Sequence, residues 1–280
     1  MGKLRPTTHR REKIVIYGNY KVGKSSCWAD ILITAWEKGY DGKFWLIDVD
    51  NTWDAMRPEY GEIEESGMLT VYEPYDLEAS IKISREIASK AKHQDWIFID
   101  MIDWFWEAAQ EWYITRVHGE DPEDYFLDMR RAVKEAQADD RGHKAQFGGQ
   151  EGTDWPFITK IYKQFETPLT MKCPANILSV TSERKLDANR GATREQIAQH
   201  KHVSAAAPVG QKGIGHRHNT VMRMTRRQSG LRQLTMVGDR LREHVWAEKI
   251  GSRTIDVNEP PRAFVRAYLR KVAGWTTSNK

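Results

Sequence analysis

The sequence predicts an α/β fold: a mostly parallel central sheet flanked by helices, with a C-terminal antiparallel hairpin. Three observations predict it. Short apolar runs rich in β-branched and aromatic residues alternate with segments of helical periodicity, the pattern of a parallel sheet with crossover helices. The first run leads into the glycine-rich stretch Gly18-Asn19-Tyr20-Lys21-Val22-Gly23-Lys24-Ser25, which reads G-x-x-x-x-G-K-S and opens a helical pattern. Later runs end in carboxylates, and in such folds ligands sit at the carboxyl ends of the strands.

In chain order, Ile14-Val15-Ile16-Tyr17 is the first strand. Trp28, Ile31, Leu32, Ala35 and Trp36 recur at helical spacing up to Gly39. Phe44 to Asp50 is a second strand, residues 51–67 read as a loop because of Pro58, Gly61 and an acidic cluster, and Met68 to Tyr72 is a third strand. Leu77, Ile81, Ile87, Ala88 and Ala91 mark a helix. Trp96 to Asp100 is a fourth strand, and Trp104 to Val117 a helix. Residues 119–153 form a polar insertion with one helix near Pro122 to Ala138. Asp154 is placed to cap a helix whose apolar face is Phe157, Ile158, Ile161, Tyr162 and Phe165. Ala175 to Thr181 is a fifth strand, and 184–218 reads as a basic irregular loop. Thr220 to Arg227 and Leu231 to Val237 form a hairpin across Gln228-Ser229-Gly230. A last helix spans about Pro261 to Val272, followed by a frayed end. The expected organisation is a flexible basic arm (1–12), a core (13–250) and a C-terminal helix and tail (251–280).

Composition narrows the classes. A chain of 280 residues supports one large domain or a core with a small appendage. Two cysteines, Cys27 and Cys173, give neither a disulfide framework nor a metal spacing. No apolar run approaches a membrane span, and the N-terminus lacks an apolar signal core. These features point to a cytoplasmic protein without a membrane partner. Most of the eleven tryptophans are expected in the core, with a few free to stack on bases. Charge is uneven: Arg184 to Arg232 carries eleven Lys/Arg against Asp187 and Glu195, while the whole chain has a formal net charge of only +4. Cations amid glycine, serine and asparagine suit a phosphate backbone, or simply a solvated face.

The glycine-rich stretch carries the chemistry. Its turn lets backbone N–H groups wrap phosphate oxygens, and the following helix points its N-terminus at the anion. The amides of Gly18 to Ser26 form the cradle. Lys24 adds charge at the outer phosphates, and the Ser25 hydroxyl can ligate magnesium. Lys21 is a secondary phosphate contact or an exposed loop lysine. The run ending at Asp100 fits a Walker B strand, whose carboxylate holds magnesium through water. A water-activating carboxylate is sought at neighbouring strand ends: Asp50 first, then Asp48, then Asp103. Thr181 or Ser182 could sense a γ-phosphate. His200/His202 and His216/His218 form close pairs without nearby cysteines or spaced carboxylates.

These residues resemble the RecA-like P-loop ATPases, and especially the small phage members used in recombination and single-strand annealing. Four stretches carry the resemblance: Gly18 to Ser25; Leu46 to Asp54, similar to the RecA strand ending I-D-A-E-H-A-L-D; the strand ending at Asp100; and Leu234 to Arg240 in the hairpin. Asp50 falls on the family's water-activating glutamate. Arg240 matches the second member of a K-x-K or K-x-R pair that reaches the neighbouring subunit's nucleotide, with Gly238 at the first. The resemblance implies ATP, Mg2+, nucleotide bound at the subunit interfaces of a ring or filament, and DNA, single-stranded by preference, held by loops such as 184–218. A phage-encoded chain would work in the host cytoplasm. Other readings are a helicase or DNA-packaging motor, a small-molecule kinase, and a nucleotide-gated binding protein with little hydrolysis.

Overall fold

The computed structural model describes residues 3–6, 10–117, 154–188, 192–211, 213–258 and 263–278, with a few positions between 119 and 131. The helix expected near 122–138 lies largely outside the described residues.

Ile14, Val15, Ile16 and Tyr17 form strand β2 (Lys13–Gly18), and all four are fully buried. Burial on both faces is what a continuous apolar run demands, and only the middle of a covered sheet satisfies it. The other central strands repeat the theme: β3 (Phe44–Asp48), β5 (Trp96–Asp100) and β6 (Asn176–Lys185). Alternate residues point into two cores. Ile14, Ile16, Leu46, Phe98 and Val180 pack on one face with helix α1 (Ser25–Glu37) and the C-terminal segment 263–273. Val15, Ile47, Ile97, Ile99 and Ile177 pack on the other with α3 (Leu77–Lys90), α4 (Ile102–Val117) and α5 (Asp154–Thr167).

The main sheet completes itself with β4 (Leu69–Tyr72), β8 (Thr220–Arg226), β9 (Arg232–Asp239) and β10 (Thr254–Asp256). Its order is β10-β9-β8-β2-β6-β5-β3-β4. From β8 to β4 every neighbouring pair is parallel, whereas β8–β9 and β9–β10 are antiparallel. Thus β6 lies between the strand that feeds the glycine-rich loop and the strand that ends at Asp100. The fully buried tryptophans are Trp28, Trp53, Trp96, Trp246 and Trp275, so much of the aromatic content fills the core.

Four expectations change. Residues 51–67 are largely helix, α2 (Thr52–Glu65). Asp48 at the end of β3 accepts hydrogen bonds from the Trp53 N–H (2.8 Å) and the Asp50 N–H (3.1 Å), which supplies partners the helix start lacks. Trp53 then anchors the helix in the core, and its indole donates to Glu64 at 2.8 Å. These contacts override the helix-breaking signals of Pro58 and Gly61. The described residues of 184–218 include a short antiparallel strand, β7 (Ala206–Pro208), paired with Glu183–Lys185, and short helices at Arg194–Gln199 and Ile214–Arg217. The arm and the tail pair with each other as β1 (Lys3–Pro6) and β11 (Trp275–Ser278). Asp154 is itself the first residue of α5, and its carboxylate accepts from the Tyr113 hydroxyl at 2.8 Å.

Candidate phosphate-binding site

The site residues come from the carboxyl ends of adjacent parallel strands. Gly18 ends β2, and a Cβ there would run into the Met224 carbonyl oxygen on β8. Gly23 has φ +96°, a conformation open to glycine. Between them Asn19, Tyr20 and Lys21 form an exposed lip, with Lys21 Nζ 5.0 Å from the Tyr20 ring centroid, while Val22 turns into the core. The Ser26 hydroxyl donates to the Gly23 carbonyl at 2.6 Å and closes the base of the turn.

Lys24 is buried and folded back over the loop, where its ammonium donates to the carbonyls of Gly18 (3.2 Å) and Asn19 (3.1 Å). Burial lowers its pKa, and Asp100, Asp103, Asp50 and Glu183 pull it back up. Four carboxylates therefore bear on one ammonium, an excess of negative charge that suits a divalent cation.

Asp100 gives the sharpest test of that fit. It is fully buried; Oδ2 accepts from the Trp28 indole at 2.8 Å, and Oδ1 has no hydrogen-bond partner among the described residues. Burial pushes its carboxyl up to about 6, against the downward pull of the Ser25 hydroxyl and Trp28. A buried carboxylate oxygen without a donor is costly in isolation. It fits a hydrated Mg2+ held jointly with Ser25. Among the described residues no cluster of three or more His, Cys, Asp or Glu could hold a metal by itself. The histidine pairs do other things: His218 is buried, bonded to the Ile214 carbonyl (2.8 Å) and the Ser179 hydroxyl (3.3 Å), and pushed down to about 4 by desolvation.

The three carboxylates considered for water activation separate clearly. Asp48 is committed to the start of α2. Asp103 is buried, with Oδ2 accepting from the Ser182 N–H at 3.1 Å. Asp50 is exposed beyond the end of β3, and among the described residues its carboxylate has no hydrogen-bonded partner. The two hydroxyls beyond β6 separate too. Thr181 is spent on the Val209 carbonyl (2.9 Å), whereas Ser182 lies level with Gly18 in the β2–β6 register.

Arg240 sits elsewhere. Thr220, at the amino end of β8, pairs with both Ile14 and Asp239, and the Arg240 N–H donates to the Asn219 carbonyl at 2.9 Å. It therefore stands at the amino ends of the parallel strands. The eight residues of β9 separate that end from the P-loop end by roughly 25 Å. Arg240 cannot reach the glycine-rich loop (Gly18 to Ser25, the candidate P-loop) of its own chain.

Four residues near the site were not among the candidate site residues: Trp28, Glu183, Arg223 and Arg232. Glu183 and Arg223 form a two-pronged pair (2.8 and 3.1 Å) bridging β6 and β8. Arg232 lies against Gly23. Glu183 lies near the end of β6, Arg223 in the middle of β8 and Arg232 at the start of β9, and in the sequence the two arginines appear only as part of the basic surplus. The basic surplus is also smaller than it looks, because Arg217 pairs with buried Glu166 and Arg223 with Glu183. Arg184, Lys185, Arg194 and Lys201 remain exposed.

No protein-family model matches the sequence, and no curated protein matches it. Among solved structures the chain is similar to a KaiC-like protein of the hyperthermophilic archaeon Pyrococcus horikoshii OT3. The TM-score is 0.50 and the identity 11%, over 93% of this chain and 97% of that one. The likeness concerns the fold, which is a RecA-like α/β fold with a mostly parallel sheet and C-terminal antiparallel strands. Among the described residues no helix is long and apolar enough to cross a membrane.

Proposed function

We propose that the chain is an ATP-hydrolysing RecA-like protein that acts on DNA, in recombination or single-strand annealing. The observation that carries the reading is the placement of the loop lysine, a buried half-partnered Asp100 and an open Asp50 at the carboxyl ends of the central strands. The amides from Gly23 to Ser26 would hold phosphate oxygens at the start of α1, and Lys24 would exchange its loop carbonyls for the outer phosphates. Ser25 and Asp100 would hold Mg2+, which when bound offsets the negative charge of the phosphoryl oxygens. Asp50, on the open side, would orient the attacking water and take its proton. Ser182 is the candidate for sensing the terminal phosphate.

The distance of Arg240 from its own P-loop supports a role in trans, in which a head-to-tail ring or filament brings it to a neighbour's nucleotide. The exposed cations Arg184, Lys185, Arg194 and Lys201 follow Ser182 on the same strand and segment, which ties the DNA grip to the nucleotide site. If these four neutralise single-strand phosphates, log K should fall with log salt at a slope of about −3. The lack of a fixing partner for Asp50 favours one alternative, a nucleotide-gated binding protein with little turnover.

The test is ATP hydrolysis with and without single-stranded DNA, in wild type and Lys24→Ala. Stimulation by DNA that vanishes in the variant is expected. Turnover indifferent to DNA refutes the DNA-dependent reading. Tight ATP binding without turnover selects the gated binder, and phosphoryl transfer to a metabolite selects a kinase.

A further inference from the structure

Arg232 opens β9, on the far side of the hairpin from the strand next to β2. Its N–H is held by the Asn258 side chain and its carbonyl by the Val257 N–H at 3.0 Å, so the backbone at this point is fixed. The side chain reaches back over the P-loop. A Cβ placed on Gly23 would lie 2.9 Å from Arg232 Cζ, 3.0 Å from Nε and 3.1 Å from Nη1. The guanidinium thus occupies the space that the absence of a side chain at Gly23 leaves open, and its charge also bears on Cys27 in the first turn of α1.

The residue is half-buried, and among the described residues its guanidinium has no carboxylate partner and no hydrogen-bond acceptor. Its counterpart Arg223, on β8 and level with Tyr17 of β2, is neutralised by Glu183. A guanidinium has five donors in a fixed fork and matches phosphate oxygens well. An unneutralised one, seated against the loop whose amides face an anion, lacks its acceptor until an anion arrives.

We infer that Arg232 is a further nucleotide-binding residue, supplied in cis by the hairpin, whose guanidinium contacts the phosphate chain held by the P-loop. The inference rests on the P-loop reading proposed above. It assigns the residues at the start and just past the end of β9 to different nucleotides: Arg232 to the chain's own and Arg240 to a neighbour's.

Equilibrium binding of a fluorescent ATP analogue, with competition by ATP and by inorganic tripolyphosphate, tests it in wild type, Arg232→Ala, Arg232→Lys and Lys24→Ala. Loss of charge-assisted hydrogen bonds should weaken ATP and tripolyphosphate in parallel, about tenfold to a hundredfold in Arg232→Ala. The lysine variant should fall between, and the ligand-free melting temperature should not move. Wild-type affinity in Arg232→Ala alongside lost binding in Lys24→Ala overturns this inference and leaves the P-loop reading standing. Weakened ATP with unchanged tripolyphosphate also overturns it, since the contact would then be to the nucleoside. Failure of the wild-type protein to bind either ligand overturns both.

Discussion

Replacing Asp100 by Asn should make the ligand-free protein more stable while removing its response to magnesium and ATP. Burial raises the Asp100 carboxyl from 3.8 to about 6. Each unit is worth about 1.4 kcal/mol, so keeping this group ionised costs the folded state about 3 kcal/mol at pH 7.5. The folded state binds the proton more tightly than the unfolded chain. Stability from this group is therefore greatest below about pH 4, falls as the pH rises to 6, and stays low above it. Asparagine carries no charge and can still accept from the Trp28 indole. An unpartnered amide adds its own cost of ~1 kcal/mol or more, but that cost does not depend on pH. The diagnostic is thus the change in the substitution's effect between pH 7.5 and pH 4.5, expected to be ~2 kcal/mol in favour of the variant at the higher pH. Urea denaturation in EDTA at both values measures it. In a parallel thermal scan the wild type should gain melting temperature with Mg2+ and ATP together, and Asp100→Asn should not. An equal effect at both pH values refutes the desolvated carboxylate. A preserved magnesium-dependent shift refutes the metal role.

Other substitutions separate the site from its scaffold. Gly18→Ala drives a methyl group into the Met224 carbonyl and should cost ~1–3 kcal/mol in denaturation while displacing the loop enough to abolish ATP binding. Arg242 holds Glu12 in a buried pair, with a 3.0 Å contact from Nη1. Arg242→Ala strands that carboxylate and should lose ~3–5 kcal/mol, whereas the double replacement Glu12→Leu/Arg242→Met should recover most of the loss by calorimetry. Arg240→Ala should leave the affinity for the ATP analogue within about twofold and lower turnover at least ~tenfold. Mixing it with Lys24→Ala should restore some turnover if each supplies what the other lacks, and strictly additive inactivity would count against a shared site.

Much of the fold was legible because buried parallel strands write themselves as uninterrupted apolar runs. Ile14 to Tyr17, Trp96 to Phe98 and the hairpin strands read directly. Helix α2 did not, because it is held by the Asp48 carboxylate at its start and by the burial of Trp53 in the core rather than by helix propensity. Likewise β7 is only three residues long and owes its order to the end of β6.

The candidate site divides along the same line. Gly18 to Ser26 is a local device: one turn and one helix start place every donor, so nine consecutive residues specify it. Asp50 and Asp100 follow from strand ends, which periodicity locates. The sequence ranked Asp50 ahead of Asp48 and Asp103 by placement, and the hydrogen bonds that occupy the other two are visible only in the structure. The charge surplus of 184–232 was visible as composition, but which cations stay exposed depended on Glu166 and Glu183, distant in sequence and adjacent in space. Arg232 and Arg240 look alike in the sequence, eight positions apart, one at the start of β9 and the other just past its end. Only the antiparallel return of β9 along β8 decides that one guanidinium rests on the chain's own P-loop and the other stands at the far end of the sheet. Short-range chemistry is encoded by neighbours along the chain, whereas the partner of a long charged side chain is set by where the sheet brings distant strands together.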